Sequence, residues 1–257
     1  MNKKEERVFL GTVLLERNRW GKEDRSPTFR VSEWMQRIAD DGFDGLELWE
    51  NHALLADADE RERLRTGPVP VALLNSYAGC ENEDLADRQR SAEVANYLGA
   101  EGMKYNFGKN PERLDAYIEN VKAWYDMFTP GFRMLCECHR GTLTAEPELA
   151  KTVFERLGEE RSGAIIHFDN DKDTYRKRFG CFGNCLTHIH CKLSSEGGMM
   201  TEDEVRRRIA WLREFGFSGT YTIEFTEGVR GDLSIEELYR NAVRDLQFLR
   251  RCLECPF

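Results

Sequence analysis

The sequence contains no run of apolar residues near the length of about 18 that a membrane-spanning helix needs, and 32% of its residues are charged. It reads as a soluble chain, with no membrane partner expected. An excess of basic residues is also missing. Acidic side chains number 46 against 37 basic ones, giving a net charge of -9. Phosphate backbones reward the opposite sign, so no nucleic-acid partner is expected. Neither GxGxxG nor GxxxxGKS/T follows any candidate strand, which removes the usual Gly-rich phosphate cradles and disfavours an open doubly wound sheet. The apolar segment Val8 to Leu15 runs into Glu16-Arg17 rather than a small-residue cleavage site, and a cytoplasmic location is expected. There is no low-complexity linker, and Gly and Pro are scattered, so residues 1–257 are expected to form a single domain.

Eight cysteines are present, but the chain is far longer than the small secreted scaffolds that rely on disulfides. Free thiols are expected. Cys252 and Cys255 form a CxxC and Cys181 and Cys185 a CxxxC, a zinc-site spacing weakened by the first pair's place at the chain end and the second's in the Gly-rich stretch FGCFGNC, read as a loop.

Short β-rich runs alternate with longer amphipathic stretches, the pattern of parallel βα units. Candidate strands are 8–15, 45–50, 70–76, 102–108, 132–139, 164–169, 186–193 and 220–226. Helical periodicity covers Val31 to Asp40, Leu85 to Leu98, Pro111 to Phe128, Glu146 to Leu157, Glu202 to Phe215 and Ser234 to Leu253. Thr201 with Glu204, and Ser234 with Glu237, have the spacing of capping boxes. Eight such units in 257 residues predict one closed (β/α)8 TIM barrel, with its active site where the strands end.

Side chains on a strand alternate faces, so residues of equal parity point together. On that basis Glu137 shares a face with His139, His167 with Asp169, and His188 with His190 and Lys192, while Glu224 sits between Thr222 and Thr226. Four of the five histidines thus fall on candidate strands, on the same faces as carboxylates. Outside a barrel strand, under its helices, ionisable groups would be buried without water at a cost of several kcal/mol each. The inward face avoids that cost, and carboxylates with imidazole at the barrel mouth attract a divalent cation. Mn²⁺, Mg²⁺ or Co²⁺ suit such a set, with Zn²⁺ as an alternative.

The order ECH, FDN, HIH and IEF at the ends of strands five to eight, with GFDGLELWENH at strand two, resembles the xylose isomerase-like barrels, the sugar phosphate isomerase/epimerase and endonuclease IV superfamily. The resemblance covers most of the chain. It implies Glu137, Asp169, His190 and Glu224 as ligands of one divalent metal ion, with Glu137 and Glu224 also catalytic, moving a proton on opposite sides of a sugar-like substrate. Lys104, His139, His188 and Lys192 become candidates for substrate or supporting contacts, and Arg230 for an anionic substrate group. Trp20 is a candidate lid over the metal, in a polar segment after strand one.

The implied activity is isomerisation or epimerisation α to a carbonyl. Two departures from the ketose epimerase pattern, Lys172 in place of a His and Glu196 in place of an Arg, keep a dehydratase or β-eliminating lyase as the alternative. A barrel that only binds a ligand or a partner subunit is a third reading, and a homodimer is allowed. The endonuclease pattern fails, because Asn106 and Lys172 stand where histidines are required and no DxH follows His190. The run 57–65 (DADERERLR) and Arg206 to Arg208 read as solvated helix faces, and Trp34 and Trp49 as packing residues or, alternatively, as walls of a substrate pocket.

Overall fold

Eight strands pair in parallel and close on themselves in the order β1-β10-β7-β6-β5-β4-β3-β2 in this computed structural model, which describes residues 6–17, 23, 25–195 and 198–254. The barrel strands are β1 (Val8–Gly11), β2 (Gly45–Trp49), β3 (Val71–Asn75), β4 (Gly102–Tyr105), β5 (Arg133–Glu137), β6 (Ser162–His167), β7 (Leu186–Lys192) and β10 (Thr220–Phe225). A two-residue antiparallel ladder, β8 (Ser194–Ser195) with β9 (Gly198–Met199), decorates the loop after β7. The expected (β/α)8 TIM barrel is therefore the observed fold.

The main helices are α1 (Met35–Asp40), α2 (Asn51–Leu54), α3 (Ala58–Thr66), α4 (Leu85–Leu98), α5 (Leu114–Tyr125), α6 (Pro147–Leu157), α7 (Lys172–Phe182), α8 (Glu202–Glu214) and α9 (Ile235–Glu254). Both capping boxes form. Thr201 and Glu204 exchange hydrogen bonds at the start of α8, and Ser234 and Glu237 at the start of α9. Each pair satisfies backbone N–H groups that the first helical turn leaves without partners.

The alternation rule is obeyed around the barrel except in β3, where a register shift against β2 puts the adjacent Ala72 and Leu73 both inside. Val8, Leu10, Leu46, Leu48, Met134, Cys136, Ala164, Ile166, Ile189, Cys191, Tyr221 and Ile223 face outward into the apolar layer under the helices. Their neighbours face inward, where Phe9, Ala72, Leu73, Leu135 and Ile165 form a separate small cluster. Ionisable groups occupy the interior toward the C-terminal ends of the strands. The inner space is thus divided into an apolar floor and a polar mouth.

Three expectations are corrected. Strand one stops at Gly11 rather than Leu15, because the Thr12 hydroxyl accepts the Trp49 N–H and takes over the ladder, and residues 12–15 coil into a buried 3-10 turn. Strands four to six end two or three residues early, as the chain turns into the loops of the mouth. The FGCFGNC stretch is helical through Phe182 in α7, since Phe182 packs on Phe154 and Phe179 on Phe215, contacts that outweigh the helix cost of Gly180. The seven described cysteines are free thiols, and Cys255 lies outside the described residues.

Gly219 lies where the chain enters β10 against β7. A methyl group there would meet the Thr187 carbonyl oxygen at 2.1 Å. Backbone, unlike the end of a long side chain, cannot step aside. Gly219→Ala is expected to cost about 1–3 kcal/mol by overpacking, measured as a lower midpoint in urea unfolding with an unchanged slope.

Candidate active site

The C-terminal ends of β5, β6, β7 and β10 bring Glu137, His167, His190 and Glu224 together, each offering one ligand atom within 4.8 Å of the others. The backbone explains the convergence. His167 is level with His190 in the β6–β7 ladder, and Glu224 follows directly on the paired residues Thr222 and Ile223 of β10. His190 Nδ1 lies 3.1 Å from Glu224 Oε2 and 3.5 Å from Glu137 Oε1, and His167 Nε2 lies 3.1 Å from Glu137 Oε1. Despite that proximity, His190 Nδ1 and Glu224 Oε2 are both buried without a hydrogen-bond partner. Two orphaned lone-pair donors aimed at one place fit a cation, because a buried polar atom without a partner is otherwise costly.

Below this group, His190 Nε2 is 3.1 Å from Glu47 Oε2, so Nε2 is assigned the proton and donates it to the carboxylate. Nδ1 faces Glu137 and Glu224, where a divalent ion would take the place of a proton and use its lone pair. A ligating histidine ordinarily has this arrangement, with its other nitrogen donating to a carboxylate. Glu47 also accepts from Asn75 Nδ2 at 2.9 Å, and its Oε2 is 3.5 Å from His188 Nε2. Burial opposes ionisation of Glu47, yet His190 and His188 hold its carboxyl far below the usual range. Burial likewise disfavours a charged His190, but Glu224 and Glu47 raise it well above an ordinary imidazole.

Lys104 of β4 reaches Glu137 Oε2 at 2.8 Å, with both side chains almost wholly buried. Burial works against the charge on each, and their attraction prevails: Lys104 is held up and Glu137 well down from their ordinary values. A buried pair of this kind contributes orientation more than net stability.

The remaining sequence-derived residues fall in several places. His139 stands at the rim, its Nε2 3.0 Å from Asn106 Oδ1 and its Nδ1 2.8 Å from the Arg140 carbonyl oxygen. His188 is a layer deeper than His190, fully buried between Thr220, Thr222 and Phe9, where it supports the site from beneath. Lys192 is half-buried at the end of β7, and Arg230 is exposed in the turn after β10. Asp169 shares the parity of His167 but lies two residues beyond it, past the end of β6, with an exposed side chain outside the close group. Trp20 and Glu196 lie outside the described residues.

Two members of the constellation were not in the sequence-derived ligand set. His167 had the right parity but was overshadowed by the FDN motif that drew attention to Asp169. Glu47 carried a signal that can be read afterwards: an acid between Leu46 and Leu48, in a strand buried along its whole length, has only the barrel interior to occupy.

Neither a protein-family model nor a curated protein sequence matches the chain. Solved structures do. It resembles IolI with a bound zinc atom at a TM-score of 0.69 and 12% identity, covering 97% of this chain and 100% of that one. A D-tagatose 3-epimerase-like protein gives 0.66 and 17%, covering 96% and 97%. The 3-keto-D-glucoside 4-epimerase YcjR from E. coli gives 0.63 and 15%, covering 96% and 100%. The chain has the fold of the xylose isomerase-like barrels. At these identities the likeness is one of architecture, extending over nearly the whole chain.

Within this xylose isomerase-like barrel, Glu137, His167, His190 and Glu224 form a donor set of two carboxylates and two imidazoles. One more imidazole than the sequence reading held moves the preference from oxygen-seeking ions toward zinc and cobalt. The Glu47 support yields a measurable consequence. Glu47→Gln keeps the shape but removes the charge behind His190, and it is expected to weaken manganese or zinc affinity by about 10–100-fold, read by metal titration while near-ultraviolet circular dichroism stays native.

Proposed function

We propose that the protein is a divalent-metal-dependent isomerase or epimerase that moves a proton α to the carbonyl of a sugar or related polyhydroxy compound. The observation that carries this reading is the pair of buried carboxylates, Glu137 and Glu224, both within 3.5 Å of His190 Nδ1. Epimerases among the structures of the same fold support it.

Glu137, His190 and Glu224 would hold the ion, with a fourth ligand from β6. A divalent ion at that place supplies Lewis acidity, polarising a carbonyl oxygen and making the neighbouring C–H more acidic. The chain's own groups do the rest. Glu224 Oε2, with no hydrogen-bond partner of its own, is placed to accept the proton, and Glu137 to deliver one that it takes from Lys104 Nζ, 2.8 Å away. Lys104, cationic and buried, stabilises negative charge that develops on a substrate oxygen. The Glu47 and His188 layer keeps His190 from turning.

The grouping of His167 with Glu137, His190 and Glu224 supports it as the β6 ligand, with Asp169 at the rim as its competitor. Titrating manganese into His167→Ala and Asp169→Ala distinguishes them, with the larger loss expected for His167→Ala; a larger loss for Asp169→Ala transfers the role to the carboxylate.

The activity itself is tested by incubating metal-loaded protein with ketoses, aldoses and keto sugars in deuterated water. The expected result is deuterium in the α position with product mass otherwise conserved; loss of water from the product identifies an eliminating lyase instead. Glu137→Gln and Glu224→Gln are each expected to slow exchange by about 10²–10⁴-fold, with the fold retained. Full exchange in either variant removes that residue from the mechanism.

A further inference from the structure

The loop between β1 and α1 brings Arg25 to the ends of β2 and β3. Its guanidinium carbon lies 5.3 Å from the centre of the Trp49 ring and 4.7 Å from that of Tyr77, a double cation–π contact. Lys104 Nζ stands 4.5 Å from the centre of the same Tyr77 ring, so the two cations share one aromatic neighbour, and Lys104 in turn touches Glu137. The loop is fastened. Asn51 Nδ2 donates to the Arg25 carbonyl oxygen at 2.9 Å, and the Thr28 N–H and hydroxyl both donate to buried Glu16, which lies 2.6 Å from His52 Nε2. Arg25 is therefore positioned rather than trailing in solvent.

What it lacks is an acceptor. Among the described residues it joins no ion pair, and its Nε is buried with no hydrogen-bond partner. The Nε1 of wholly buried Trp49, whose ring the guanidinium faces, is also without one. Unpartnered buried N–H donors on two side chains that stack together leave a place for an oxygen-bearing group. The nearby acid, Glu50, does not serve: its two oxygens accept from the Ser76 hydroxyl at 2.7 Å and the Tyr77 N–H at 2.8 Å. Burial moreover pushes its carboxyl up, toward the uncharged form.

We propose that Arg25 is the residue that selects the substrate, and that the substrate is a sugar acid whose carboxylate rests on the Arg25 guanidinium while its reacting carbon faces Glu137 and Glu224. A planar fork pairs with a planar carboxylate through two parallel hydrogen bonds. Among the described residues, a phosphate dianion asks for more uncommitted positive charge than this corner has, since Lys104 is engaged by Glu137 and Lys192 lies on β7, opposite β3 in the barrel. The inference rests on the reaction proposed above for the site and adds the class of molecule that enters it.

The test is calorimetric binding of D-glucuronate, D-galacturonate and D-gluconate to the manganese-loaded protein, each against its uncharged counterpart D-glucose, D-galactose or D-glucitol. At least one acid is expected to bind about tenfold or more tightly than its counterpart. Arg25→Gln is expected to abolish that preference while leaving the melting temperature and manganese affinity unchanged. Arg25→Lys keeps the charge without the fork and is expected to reduce the preference severalfold; it decides the matter where Arg25→Gln does not fold. No acid preference in the parent protein, or an undiminished one in the variants, overturns the assignment. Deuterium exchange on the same samples separates the two ideas. Acids bound through Arg25 without exchange count against the reaction alone, and exchange on neutral sugars with no preference for acids counts against Arg25 alone.

Discussion

The contact between Glu47 and His190 governs the arrangement at the barrel mouth. An imidazole has two nitrogens, and whichever is occupied from behind decides what the other presents in front. Glu47, itself fixed by Asn75, occupies Nε2 and so turns Nδ1 toward Glu137 and Glu224. Without the carboxylate below, His190 would have no fixed tautomer and Glu224 no fixed neighbour. The orientation of the whole cluster descends from one acid, on a strand opposite β6 in the barrel order.

Such an interior is expensive to assemble. Glu47, Lys104, Glu137, His188, His190 and Glu224 are all buried, and an unpaired ion at any of these places would cost several kcal/mol. The chain meets the cost by pairing in layers: Glu47 against the two histidines, Lys104 against Glu137, and the hydroxyls of Thr220 and Thr222 against His188. The attraction between opposite charges holds Glu47, Lys104 and Glu137 in their ionised forms against burial, whereas burial pushes His188 toward its neutral form beside the hydroxyls. Meanwhile the apolar layer between strands and helices carries the stability, with Trp124, Tyr105 and Ile118 among its members. Fold and chemistry thus occupy different faces of the same strands, and a barrel can spend polar residues inside because its outside is secure.

Period-two alternation made most of this readable beforehand. It assigned Glu137, His167, His188, His190 and Glu224 to the interior from the strand sequences alone, and the barrel order follows from the succession of βα units. Strand ends were less legible, because they are set by contacts between elements: β1 stops where the Thr12 hydroxyl takes the N–H of Trp49, 37 residues away. The choice between His167 and Asp169 on β6 had the same origin. Both share a parity, and only the place where the chain leaves the sheet separates a side chain inside the mouth from one at its rim. Arg25 was beyond reach for a different reason, since its significance lies in two aromatic rings from other strands and in partners it does not have. A loop arginine looks like any other until its surroundings are known.

The departures from the ketose epimerase pattern take on meaning in this light. Lys172, at the position where those enzymes carry a histidine, is committed to Glu214 at 2.7 Å, a link between α7 and α8 outside the barrel. A side chain spent on holding two helices together cannot also reach a sugar in the mouth. On the proposed reading, recognition on the β6 side would be thinner than in the epimerase pattern, and the opposite side, where β2, β3 and the loop from β1 bring Trp49, Tyr77 and Arg25 together, would be richer. A substrate held chiefly from that side would approach the carboxylates with its far end anchored by charge, and would need fewer clamps near the reacting carbon. Binding energy gathered at a remote group is a recognised way to orient the reacting centre.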